Sequence, residues 1–192
     1  MVNMDVFWEY LTRNLTKIYA NCLSKKDTPL SISAGRNQKF GGITNMNISE
    51  EGKALIKKFE GCRLEAYLCS ANVWTCGWGA TKDVDENTVW SQSYADERFD
   101  GDIIEFENYV NDLVKVELTQ NEFDSICSWC YNLGPANLKS STLLRVLNEG
   151  KKHEVPAQIK RWNKAGGSVN NGLVRRREAE AALWEGKDWS SI

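Results

Sequence analysis

The sequence predicts an α+β fold, mostly α, in which one small β-hairpin lobe sits among a larger set of helices. Two observations carry this prediction. Apolar residues recur at helical spacing behind recognisable helix caps over much of the chain. Residues 63–80, by contrast, are rich in Tyr, Val, Trp and Thr around the turn-forming run Ser70-Ala71-Asn72. A chain of 192 residues is long enough for one sizeable core, or for one domain with an appendage. Its hydrophobic content of 42% and charged content of 26% are those of an ordinary globular protein, and no apolar run is long enough to cross a bilayer.

The first element is an amphipathic helix over residues 4–23, where Met4, Val6, Phe7, Tyr10, Leu11, Leu15, Ile18, Tyr19 and Leu23 are interleaved with Glu9, Arg13 and Lys17. Recurrent charges exclude the apolar core of a signal peptide. Residues 24–47 read as a polar connector rich in Gly, Ser and Asn, so residues 1–47 form an extension and residues 48–192 the main domain. The extension reads as a helix packed on that domain, as a docking arm for another component, or as a surface-binding helix. Ser49 then caps a helix with Glu50 and Glu51 in its first turn, at the positive end of the helix dipole, and Leu55, Ile56 and Phe59 on its core face. That helix delivers Glu60. After the hairpin, Thr119 and Glu122 form a capping box ahead of Phe123, Ile126, Cys127 and Cys130, and Gly134-Pro135 stops this helix. Further helices run from about Ser141 to Asn148, from near Pro156, and from Leu173 to Glu185 before Gly186.

Charge is unevenly spread. Residues 83–124 hold thirteen acidic residues against two basic ones, whereas the rest of the chain holds thirteen against twenty-two, within a net charge of −2. The acidic stretch reads as a solvated helix face. A sharper reading is a basic-rimmed cleft that attracts an anionic polymer.

Chemistry points to Glu60. A carboxyl group at the C-terminal end of an apolar helix, with Gly61 turning the chain and aromatic residues nearby, suits a general acid of raised pKa. Eight residues separate Glu60 from Cys69 and five separate Cys69 from Thr75. Taken singly, Glu60 is a solvated charge, Thr75 a strand residue and Cys69 a small buried hydrophobe; their joint spacing carries the inference. It is accompanied by Trp162-Asn163-Lys164-Ala165-Gly166-Gly167, by Gly172-Leu173-Val174-Arg175-Arg176-Arg177 followed by Glu178 to Trp184, and by Phe123 with Tyr131-Asn132-Leu133-Gly134 and Ser140-Ser141-Thr142-Leu143-Leu144.

Taken in chain order across residues 48–192, these motifs resemble the phage-type lysozymes, the endolysins of glycoside hydrolase family 24. The resemblance implies a lysozyme-like fold and an endo-acting muramidase that hydrolyses the β-1,4 bond between N-acetylmuramic acid and N-acetylglucosamine. No cofactor or metal is implied. Glu60 would protonate the glycosidic oxygen and Thr75 would help to place the water, with inversion of configuration. Cys69 stands where the family usually has Asp and sometimes Cys; with an ordinary thiol pKa of about 8.5 it could act as thiolate, as a partner for water, or as neither. Tyr131 and Asn132 would line the saccharide cleft by resemblance, the alternative being core packing and a helix C-terminal turn. Trp162, Arg176 and Arg177 read as residues that bind the last helices together, and Glu65 is a rival carboxylate.

The implied setting is a phage lysis cassette: a monomer without membrane insertion or nucleic-acid partner, held in the host cytoplasm and then acting on peptidoglycan strands at the cell wall. A secreted effector or virion component is the alternative. A lytic transglycosylase, a silent peptidoglycan-binding module, and a cysteine peptidase pairing Cys62 or Cys69 with His153 are further readings. The six cysteines read as reduced thiols, or with a Cys62–Cys69 disulfide of the regulatory kind found in some membrane-released members of the family. One histidine and no pair of Cys-x-x-Cys motifs argue against zinc.

Overall fold

The structure, a computed structural model, describes residues 45–69 and 72–192. The helix expected over residues 4–23, most of the connector over 24–47, and Ser70 and Ala71 lie outside these residues. In chain order the elements are α1 (Glu50–Glu60), β1 (Arg63–Leu68), β2 (Trp74–Gly77), α2 (Gln92–Leu113), α3 (Gln120–Leu133), α4 (Pro135–Ser140), α5 (Thr142–Asn148), α6 (Val155–Lys160), β3 (Lys164–Ala165), β4 (Ser168–Val169) and α7 (Asn171–Trp184). The fold is mostly helical with a small antiparallel hairpin.

Helix α1 starts as its sequence dictates: the Ser49 hydroxyl accepts from the Gly52 N–H at 3.2 Å, with Glu50 and Glu51 behind it. The cap is itself held from outside. Asp124 of α3 accepts from the Ser49 N–H at 2.9 Å, from the Ser49 hydroxyl, and from Gln120 Nε2 at 2.8 Å. Glu107 of α2 accepts from the Ile48 N–H at 2.8 Å. Two buried carboxylates therefore tie the start of α1 to two other helices. Gly52, Ile56 and Glu60 recur every fourth residue along the buried stripe of α1. The helix ends at Gly61, whose φ of 68° places it in the left-handed region that a side chain disfavours.

The hairpin pairs Arg63 with Gly77, Tyr67 with Thr75 and Leu68 with Trp74, with a bulge between Arg63 and Tyr67. Residues 88–90 add a short third edge that sequence reading does not delimit: the Ala66 N–H bonds to the Thr88 carbonyl at 2.9 Å and the Trp90 N–H to the Leu64 carbonyl at 2.8 Å.

Helix α2, the longest among the described residues, has no boundaries in the sequence reading, which sees only an acidic face. The outer side is indeed charged, with Glu97, Asp100 and Glu105 exposed, but Ala95, Phe99, Ile103 and Val110 are buried on the other side. In α3 both halves of the expected capping box form, and Gly134 ends the helix. Pro135 then opens α4 at its first turn instead of only breaking α3. Ser141 caps α5 from outside, and α7 begins two residues before the expected Leu173, capped by Asn170. Strands β3 and β4 form a second, minimal ladder around Gly166 and Gly167, which the sequence reading does not anticipate. The main core gathers Ile56, Phe99, Ile103, Phe123, Ile126, Trp129, Leu138, Leu143, Leu147 and Ile159 around α3.

Gly52 sets the spacing of α1 on α3. A Cβ there would lie 2.6 Å from Ile48 Cγ1 and 2.8 Å from Asp124 Cβ. Helix propensity alone favours Gly52→Ala by about 1 kcal/mol, but overpacking of this kind costs about 1–3 kcal/mol. Gly52→Ala is expected to lower the thermal midpoint by a few degrees, at roughly 2–4 °C per kcal/mol for a domain of this size. A raised midpoint in calorimetry would refute the close packing of the two helices.

Candidate active site

Glu60 is the last residue of α1 and is only 5% exposed. Its position on the buried stripe turns the carboxylate inward, where Oε1 accepts a hydrogen bond from Arg176 Nη1 of α7 at 2.6 Å. Arg176 reaches further: Nε donates to Glu180 Oε1 at 3.2 Å and Nη2 to the Ser128 carbonyl at 3.4 Å. Beside it, Arg177 Nη2 donates to Glu180 Oε1 at 2.9 Å and to Asn132 Oδ1 at 2.7 Å. Arg177 Nε lies 2.8 Å from Glu180 Oε2, close enough for an ion pair but misaligned for a hydrogen bond. Ser128 Oγ also donates to Glu180, at 2.8 Å.

Two arginines and two glutamates thus neutralise one another inside the protein, where an isolated charge would be costly. Burial works against the charge of Arg176, but Glu60 and Glu180 outweigh it and hold the guanidinium above its ordinary pKa. For Arg177 burial prevails over Glu180 and lowers it to about 10, which still leaves it cationic at neutral pH. Sequence reading assigned Arg176 to helix packing. The structure adds a direct contact with Glu60, for which the only sequence signal is the run Arg175-Arg176-Arg177 followed by Glu178 and Glu180.

The hairpin carries the other two residues that the sequence singles out. Cys69 directly follows β1 and is buried, and Thr75 lies fully buried in β2 opposite Tyr67. One carbonyl locks the pair: the Cys69 N–H donates to Val73 O at 3.0 Å, and Thr75 Oγ1 donates to the same oxygen at 3.1 Å. Tyr67 joins the two sides electrostatically. Burial pushes its phenol up to about 12, opposed by Arg63, whose guanidinium sits 4.0 Å from the ring centre, and reinforced by Glu60 and Cys69.

Tyr131, near the end of α3, is half-buried and donates its hydroxyl to the Trp78 carbonyl at 3.0 Å. Its ring packs 5.7 Å from Phe99 and 4.9 Å from Phe106. Burial and then the charge of Glu60 push its phenol well up, so it stays neutral. The charge of Glu60 thus acts on both phenols, Tyr67 of the hairpin and Tyr131 of α3. Asn132 stands apart, 2% exposed, with its amide oxygen taken by Arg177. Glu65, the rival carboxylate, is exposed on β1.

The five described cysteines are free, and Cys22 lies outside the described residues. Burial raises the thiol pKa values of Cys62, Cys76, Cys127 and Cys130, which keeps these four protonated and poorly nucleophilic near neutral pH. His153 is 81% exposed in the turn before α6, with Glu154 at 4.0 Å, outside this group. No group of three or more His, Cys, Asp or Glu among the described residues is arranged to hold a metal ion.

Comparison with known proteins places this geometry. The family model for phage lysozyme matches residues 57–180. An endolysin of Acyrthosiphon pisum secondary endosymbiont phage 1 is 42% identical over 146 residues, which cover 73% of this chain and 99% of that protein. The endolysin of Salmonella phage P22 is 36% identical over 141 residues, 71% of this chain and 97% of its own. Among solved structures, the muramidase domain of SpmX from Asticaccaulis excentricus aligns with a TM-score of 0.69 at 34% identity, covering 72% of this chain and 97% of that one. The endolysin from Escherichia coli O157:H7 phage FAHEc1 aligns at 0.68 and 34%, covering 77% and 96%. The family match runs from before Glu60 through the hairpin to Glu180 of α7, and the chain belongs to the phage lysozyme family.

Proposed function

We propose that this endolysin-type glycoside hydrolase cleaves the β-1,4 bond between N-acetylmuramic acid and N-acetylglucosamine in peptidoglycan, with Glu60 as general acid. The observation that carries this reading is the placement of Glu60: an almost fully buried carboxyl, oriented by Arg176 at 2.6 Å, on the helix that leads directly into the hairpin bearing Cys69 and Thr75. In the reacting form Glu60 carries a proton on Oε2, the oxygen that Arg176 does not take; it gives that proton to the bridging oxygen as the glycosidic bond breaks, and Arg176 stabilises the carboxylate left behind.

The attacking group is water. Cys69 is a thiol where a carboxylate nucleophile would be needed, and the hairpin's own carboxylate, Glu65, is exposed on β1, so no covalent sugar intermediate forms and the product is inverted. Thr75 Oγ1 has its own proton committed to Val73, so its lone pairs are free to accept a hydrogen bond from the water and aim it at the anomeric carbon. Cys69 is a second partner for that water, whose proton is released to solvent as its oxygen bonds to the anomeric carbon. Tyr131 shapes the helical wall of the cleft, and Asn132 supports that wall through Arg177 from beneath. The anionic wall polymer is drawn by the excess of basic residues outside residues 83–124.

The catalytic unit is residues 48–192, acting as a monomer on glycan strands. The setting is a phage lysis cassette: the enzyme waits in the host cytoplasm and acts at the wall once the membrane is breached. No helix among the described residues is long and apolar enough to cross a membrane.

Mass spectrometry of muropeptides released from purified peptidoglycan tests the reaction. Wild type is expected to give reducing muramic ends, whereas anhydro-muramic ends would make it a transglycosylase. Glu60→Gln is expected to cut turnover by about 10²–10⁴-fold, the usual worth of a general acid; near-normal turnover would remove Glu60 from the mechanism. Cys69→Asp is expected to retain or raise activity, read in the same assay. Arg176→Met leaves Glu60 and Glu180 buried without their shared cation and is expected to cost about 3–5 kcal/mol of stability by denaturant titration.

A further inference from the structure

The hairpin and α1 are joined covalently only through Gly61 and Cys62, yet the chemistry requires groups on both to stay in register. A single carboxylate fastens them non-covalently. Asp96 Oδ1, in the second turn of α2, accepts from Lys57 Nζ of α1 at 2.6 Å and from Trp78 Nε1, just past β2, at 2.8 Å. Its other oxygen accepts from Gln92 Nε2 one turn earlier at 3.1 Å, which fixes the rotamer. Lys57 is held in place besides, its ammonium 5.0 Å from the ring centres of both Trp78 and Phe99. Trp78 is gripped at its backbone end too, where its carbonyl accepts the Tyr131 hydroxyl.

The two anchors sit close to the chemistry. Lys57 is three residues, one helical turn, before Glu60; Trp78 is three residues after Thr75. A shift at either anchor is therefore transmitted over a short, stiff path to a reacting group.

We propose that Asp96 is a positioning residue for glycoside cleavage: by bridging Lys57 and Trp78 it sets the separation between Glu60 on α1 and the Cys69–Thr75 pair on the hairpin. This rests on the reading of Glu60 and Thr75 given above. Asp96 touches no substrate and acts only through its two partners. Lys57, Gln92 and Trp78 together hold its carboxyl below the ordinary Asp range, so the bridge persists at neutral pH and is lost only in acid as Asp96 becomes protonated.

Steady-state hydrolysis of peptidoglycan by Asp96→Ala, Asp96→Asn and Trp78→Phe is the test, with Glu60→Gln alongside. Misplacement of about 1 Å costs up to about 100-fold in rate, so Asp96→Ala is expected to lower kcat by roughly 10-fold or more. KM should stay within about two-fold. Asp96→Asn keeps an acceptor for Trp78 Nε1 but loses the Lys57 charge, and should fall between wild type and Asp96→Ala. Trp78→Phe should cause a loss like that of Asp96→Ala, and the double variant little more than either alone, because both break one bridge. The acid limb of the wild-type kcat profile should be shallower in Asp96→Asn, whose amide does not titrate. Independent, multiplying losses, a kcat within two-fold of wild type in Asp96→Ala, or a loss that vanishes on cooling would each overturn the positioning role. Activity in Glu60→Gln would overturn the catalytic reading and this inference with it, whereas inactivity there beside a normal Asp96→Ala would sink this inference alone.

Discussion

The buried ion cluster of Glu60, Arg176, Glu180 and Arg177 is the constraint on which the rest of the molecule depends. Four charged groups can share a protein interior only if they neutralise one another and their remaining hydrogen-bonding groups are largely met. That requirement brings the end of α1, the middle of α3 and the first half of α7 to one point, because Ser128 and Asn132 of α3 supply further partners. The apolar core around Trp129 and Ile126 provides the driving force for burial. The ion cluster decides the register in which those helices pack. It also leaves one carboxyl, Glu60, at the margin of the cluster where α1 ends and the hairpin begins.

From that point the architecture works by fastening. Asp124 and Glu107 hold the beginning of α1, Arg176 holds its end, and Asp96 holds its flank against the hairpin. For Asp124, Glu107 and Arg176 the alternative is solvation by water, so their grip depends on burial as much as on distance, whereas Asp96, half-exposed, holds by its three donors. The hairpin is small and its edge is short, and it takes its orientation from Trp78 and Tyr131 more than from its own hydrogen bonds. A two-stranded ribbon of this size is marginal alone and is steadied by docking on α2.

Much of this was legible in the residues. Ser49, Thr119 with Glu122, Ser141 and Gly134 mark helix ends through local hydrogen bonds and local backbone preferences, and the structure forms those caps where the residues indicate. Helix α2 was less legible. Its buried positions, Ala95, Phe99, Ile103 and Val110, do follow a helical stripe, but acidic residues between them dilute the pattern. The third edge at residues 88–90 and the ladder of β3 and β4 escaped for another reason: pairs this short are selected by what lies opposite them.

The sequence by itself determined the helix caps, the hairpin, and the spacing of Glu60, Cys69 and Thr75, because these are set by neighbours within a few residues or by a motif of fixed length. Tertiary structure alone decided the partners of the charges. Arg176 meets a carboxylate 116 residues away, and Asp96 gathers Lys57 and Trp78 from two other elements. Charge pairing of this kind carries no periodicity in the chain. It emerges only once packing has brought distant elements together, around the buried ions of the cluster and around the half-exposed Asp96.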